Sequence, residues 1–87
     1  MVIMQAKDIS TDDLLRYLAD HQEYWVMRWE LPLPEGTPEK VQMAKVRSLI
    51  KRGLSGGCDC GCRADLCITD KGLALIGAKR THPYNGY

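Results

Sequence analysis

Residues 37–55 read TPEKVQMAKVRSLIKRGLS, and this stretch decides the fold. Thr37 is a good helix N-cap, and Pro38 suits the first helical position, where its missing donor costs nothing. Lys40 rather than Glu stands at the third position, so the full capping box is absent. Gly53 ends the helix just after Lys51 and Arg52, whose charges suit its negative end. At about 100° per residue, Met43, Val46, Leu49 and Ile50 share one face. Lys40, Arg47 and Lys51 lie opposite, with Ala44, Lys45, Ser48 and Arg52 beside them. Residues 40–52 carry five basic side chains and no acidic one. The pattern predicts a helix over 37–52 with one face in a core and one cationic face in water.

Downstream, Leu54 begins a strand, 56–65 is rich in Gly and Cys, and 66–69 returns as a second strand, so a hairpin is expected. Thr69 caps a last short helix, with Asp70 in its first turn and Leu73, Leu75 and Ile76 as apolar contacts. Upstream, Ser10 caps a helix over 11–20. Asp13 three residues on is a carboxylate variant of the capping box, and Leu14, Leu15 and Leu18 share its inner face. Between these helices, residues 22–31 suit either a short helix, with Trp25 and Trp29 four apart, or a buried strand. The helix is the favoured expectation. Pro32, Pro34 and Gly36 then form a loop.

Eighty-seven residues make one domain with a small core. Residues 1–77 are expected to form it, with 78–87 a flexible tail. The apolar fraction of 45% and charged fraction of 26% exclude a disordered chain. No run approaches the roughly 18 apolar residues of a membrane span. Residues 1–5 are too short for a signal-peptide core, so a reducing cytoplasm is the expected location and thiols or metal ligands the expected state of the four cysteines. The net charge of +1 hides an asymmetry: residues 1–39 sum to −5 and residues 40–87 to +6. Such a split either gives one face that attracts a polyanion or lets the two halves partly neutralise each other in the fold, and the clustering of the basic residues favours the first.

The run at 37–55 resembles the recognition helix of the winged helix-turn-helix family, in which a capped helix ends in a basic residue, a glycine and a leucine that lead into the wing. The run LCITDKGLAL at 66–75 resembles the returning wing strand, with Thr69 and Gly72 at its Thr-x-x-Gly positions. Small proteins of this kind are frequent in bacteria and phages. The resemblance spans residues 37–76. It implies an α+β fold with a three-helix core, a two-stranded wing over 55–69 and a short C-terminal helix. The segment before the long helix departs from it, because two tryptophans and a proline-rich loop replace a compact helix and tight turn. There the chain is either a rebuilt helix or a strand that pairs with the wing.

The resemblance implies duplex DNA as partner and transcriptional regulation as role. Thr37, Lys40, Val41, Ala44 and Ser48 would face the major groove. Val41 and Ala44 would touch thymine methyls, and Lys40 and Lys45 base edges or phosphates. Arg47, Lys51, Arg63 and Lys71 would hold phosphates. A homodimer is expected for operator recognition, because one module of this size buries little DNA surface.

Two other readings stand beside this one. Cys58, Cys60 and Cys62 alternate along a strand, and a turn near Arg63 could return Cys67 to them, so the four could bind zinc or, less readily, an iron–sulfur cluster. Same-face neighbours on a flat strand lie roughly 6–7 Å apart, so a zinc site requires the strand to bend. A winged-helix family of bacterial iron transport is similar in placing cysteines in its wing, though the spacing differs. That would make the protein a metal or redox sensor; a required cofactor is not expected. Alternatively, Trp25 and Trp29, expected first as core, could form a protein-binding surface on an adaptor or inhibitor. No phosphate loop, acid–base pair or nucleophile with a base is present, so catalysis is not expected.

Overall fold

The computed structural model describes residues 8–57 and 65–83. The leucine stripe near the N-terminus sets its first element. Helix α1 spans Thr11–Asp20, and the Ser10 hydroxyl caps it by accepting from the Asp13 N–H at 3.2 Å. Leu14, Leu15 and Leu18 are buried as their spacing requires. The chain leaves α1 through a turn at 21–23 and becomes extended at Val26.

The segment 22–31 is not the short helix expected. Val26 forms an antiparallel bridge with Leu66, its N–H donating to the Leu66 carbonyl at 2.9 Å and its carbonyl accepting in return at 2.8 Å. One 3₁₀ turn follows, Arg28–Glu30. Two local forces keep the turn this short. The Glu30 carboxylate takes the Met27 N–H at 2.7 Å, which fixes the entry. Pro32 disfavours helical backbone at Leu31. The alternative of a strand describes Val26 over a single residue, bridged to Leu66 just before the second strand of the sheet.

Helix α2 spans Glu39–Lys51. It starts later than the sequence suggests. Pro38, not Thr37, is the cap, and its carbonyl accepts from Val41 and Gln42, both at 3.0 Å. The Thr37 hydroxyl instead donates back to the Pro34 carbonyl, closing the proline loop. At the other end, Gly53 takes φ +74°, a left-handed conformation that glycine adopts without strain. The Gly53 N–H then reaches the Ile50 carbonyl and the Leu54 N–H the Leu49 carbonyl, both at 3.0 Å. Leu49 and Leu54 are both buried across this closure, the apolar contact that commonly accompanies it.

Strand β1, Ser55–Gly56, pairs antiparallel with β2, Cys67–Ile68, in the register Ser55↔Ile68 and Gly56↔Cys67. Backbone groups of successive strand residues point to opposite sides, so Val26 lies on the side of β2 away from β1. Helix α3, Asp70–Ile76, is capped by the Thr69 hydroxyl, which accepts from the Gly72 N–H at 3.1 Å. Leu73 is buried, but Leu75 is 53% exposed and supplies no core contact. Among the described residues the result is an α+β arrangement of three α-helices and one two-stranded sheet. Ile9, Leu14, Leu15, Leu18, Val46, Leu49, Leu66 and Ile68 form most of its core.

Residues 78–81 are not the loose tail expected, because the chain is tied down through Thr81. The Gln22 amide donates to the Ala19 and Lys79 carbonyls, each at 2.9 Å, and its oxygen accepts from the Thr81 N–H at 2.9 Å. Arg80 donates to the Ile68 carbonyl at 3.1 Å and pairs with Asp70 at 2.9 Å. Gln22 is buried, and these partners satisfy a polar group that would otherwise be costly there. No helix among the described residues is long and apolar enough to cross a membrane.

Candidate nucleic-acid interface

The outer face of α2 follows from its periodicity. With Val46 and Leu49 buried, residues 40, 44, 47 and 51 fall on the opposite side. Lys40, Ala44, Arg47 and Lys51 are exposed there, and Ser48 flanks them half-buried. Ala44, Arg47, Ser48, Lys51 and Arg52 line a shallow groove along this ridge. Glu39, the acidic residue of the helix, is drawn off to the side by Arg28 at 3.2 Å. The ridge is thus cationic at both ends and small in the middle.

The positive surface continues past the helix end. Lys71 is exposed, and its ammonium donates to the Arg52 carbonyl at 2.8 Å, which brings α3 up to the C-terminus of α2. Arg52 and Lys71, with Leu54, Ala74 and Leu75, line a second groove. Arg52 therefore borders both grooves. The sequence places Arg52 both at the negative end of the helix and beside its cationic face. The Lys51-Arg52-Gly53 run was the signal that it sits on the cationic surface.

Three of the sequence-selected positions sit apart from the ridge. Lys45 is 6% exposed and points inward, with its ammonium donating to the Thr11 hydroxyl at 2.7 Å. Helical spacing placed Lys45 on the flank, but the start of α1 covers that flank. Val41 is half-buried and packs against the core. Thr37 is half-buried and committed to the proline loop. Arg63 lies outside the described residues.

Burial pushes the Lys45 ammonium below its ordinary value of 10.5, and the charge of Arg52 adds to the effect. The folded state therefore releases the proton at lower pH than the unfolded chain. Stability is lowest while both forms are charged and rises with pH from the lowered value towards 10.5. Replacing Lys45 by Met keeps the packing and removes the charge. We expect Lys45→Met to raise the thermal midpoint at neutral pH and to flatten the alkaline rise. Unchanged midpoints across that range would show that water reaches the ammonium.

Cys67 is buried within β2, and Cys58, Cys60 and Cys62 lie outside the described residues. Among the described residues no group of three or more His, Cys, Asp or Glu is placed to hold a metal ion. The aromatic expectation changes more. Trp25 and Trp29 are not core: Trp25 is 37% and Trp29 62% exposed. The 3₁₀ turn anchors through Arg28, which donates to Gln42 at 3.0 Å and to Glu39, and this leaves the next residue facing water. No family model matches the chain, and comparison with curated proteins and with solved structures finds no similar one.

Proposed function

We propose that the protein is a winged-helix DNA-binding protein that regulates transcription, with α2 in the major groove and the 55–69 hairpin as its wing. The observation that carries this reading is the exposed ridge Lys40–Ala44–Arg47–Lys51, which has no carboxylate along it. A helix enters the major groove when its outer face is narrow and polar. Thirteen residues give α2 a length of about 20 Å, enough to lie along the groove. Ala44 at mid-ridge lets the helix axis come close to base edges and offers a methyl to thymine. Arg47, Lys51, Arg52 and Lys71 extend the cationic strip towards the backbone phosphates on one side. The order of elements also supports it: a helix, a residue paired to the sheet edge, a short turn, a long helix, then a hairpin and a capped helix. Two copies on one site would give the buried surface that operator recognition requires.

The test is an amide NMR titration with a mixed-sequence duplex at low salt. Shifts are expected along 40–52 and at the hairpin, reversed by added salt. Arg47→Ala and Lys51→Ala should each weaken binding across sequences and lower the salt slope by about 1, while the fold is retained. Unchanged affinity in both variants would remove α2 from the groove.

A further inference from the structure

The segment 23–30 presents large aromatic surface to water: Tyr24 at 42%, Trp25 and Trp29. The aromatic surface extends towards α1. The Tyr17 ring stacks on His21 at 4.1 Å, and His21 meets the Tyr24 ring edge-on at 5.7 Å. Exposed large aromatics this close together in the chain mark an interaction surface more often than apolar residues scattered singly do.

The exposed charged side chains within the segment are both acidic. Glu23 and Glu30 are exposed at either end of the segment. Desolvation raises the Tyr24 hydroxyl above its ordinary value of 10.0, and Tyr17, Glu30 and Glu23 raise it further. Arg28, the cation within the segment, is turned away to Glu39 and Gln42 and is largely buried. An aromatic surface rimmed by carboxylates repels nucleic acid. It also disfavours a second copy docked through the same surface about a two-fold axis, because the two acidic rims would meet. It attracts a partner that brings cations and apolar carbon together.

We propose that the surface formed by Tyr24, Trp25 and Trp29 between Glu23 and Glu30 docks a basic protein segment, with arginine or lysine side chains alternating with apolar ones. Guanidinium groups stack on Trp and Tyr faces, and Trp and Tyr are the residues that most often anchor such interfaces. This surface and the cationic ridge can be occupied together. The segment packs on α2 through Gln42, which lies two residues and about 200° round the helix from Lys40. The inference therefore stands apart from DNA binding and does not rest on it.

The test uses the full chain and a short synthetic peptide of alternating arginine and leucine, with the glutamate–leucine peptide as its counterpart. Tryptophan fluorescence and amide shifts follow binding. The arginine peptide should move residues 23–30 and leave the 40–51 ridge unmoved, and salt should weaken it. Trp29→Ala should weaken binding about tenfold, as truncation of a central interface tryptophan does. Trp29 is mostly exposed, so this variant keeps its fold. Glu23→Gln should weaken binding without removing any aromatic surface. Absence of binding, an equal response to the glutamate peptide, or shifts confined to α2 would overturn the proposal. A concentration-dependent dimer abolished by Trp29→Ala would also overturn it, by assigning the surface to a second copy.

Discussion

Leu49→Ala is expected to lower the urea midpoint sharply, with a stability loss of about 2–5 kcal/mol. Leu49 is fully buried on the inner face of α2, in one cluster with Leu14, Leu15, Val46 and Leu66. Its truncation removes apolar contact from this cluster and leaves a cavity that a small core closes only in part. Its carbonyl also accepts from Leu54, so the site adjoins the turn into β1. A domain of this size has a total stability of roughly 4–13 kcal/mol, and the upper end of the loss would leave much of the population unfolded. The comparison is Lys51→Ala, two residues on and exposed, where a change within about 0.5 kcal/mol is expected. Equal slopes with shifted midpoints would confirm that stability alone has changed. A Leu49→Ala loss below about 1 kcal/mol would mean that the two faces of α2 had been exchanged. The cationic ridge would then not be the outer surface.

The contrast between Leu49 and Lys45 shows what the sequence revealed and what it could not. The bounds of α1, the core face of α2 and the Thr69 cap were legible because each depends on residues three to five apart, and the paired strands because turn-forming residues separate two short apolar runs. Ser10 finds its partner three residues on, and Leu49 meets Leu54 five residues on. The places that surprised depend on distant chain. Val26 is extended because Leu66, forty residues later, offers it both hydrogen bonds. Lys45 is buried because Thr11, on another helix, closes over it. Gln22 fixes Lys79 and Thr81, a connection that no local pattern encodes. The same logic separates the two candidate surfaces. The ridge was readable from periodicity alone. The exposure of Trp25 and Trp29 was not, since it follows from how Arg28 reaches across to α2.

Gly72→Ala should be severe although it places alanine, the best helix former, inside a helix. A Cβ at this position would lie 2.3 Å from the Leu54 carbonyl oxygen and 3.0 Å from Cγ1 of Ile68. Real side chains essentially never approach a backbone oxygen so closely, so something must move. The Ile68 side chain can yield a little, but it is itself fully buried. The Leu54 carbonyl cannot yield freely, because it accepts from the Thr69 N–H at 3.2 Å and sits where α2 turns into β1. The gain in helix propensity is about 1 kcal/mol at most, and overpacking of this kind costs about 1–3 kcal/mol or more. The net expectation is a clear loss of stability, together with amide shifts at 53–56 and 67–72 as α3 is pushed off the sheet. The Gly72 N–H also holds the Thr69 cap, so displacement would loosen the helix start as well. If α3 is displaced, Lys71 loses its hold on the Arg52 carbonyl and the second cationic groove opens. On the proposed DNA-binding reading, Gly72→Ala should also weaken binding to duplex DNA, although residue 72 is buried and carries no charge. A stable Gly72→Ala with unshifted amides at 53–56 would show that α3 does not rest on Leu54. The continuity of the cationic surface from Lys40 to Lys71 would then be lost.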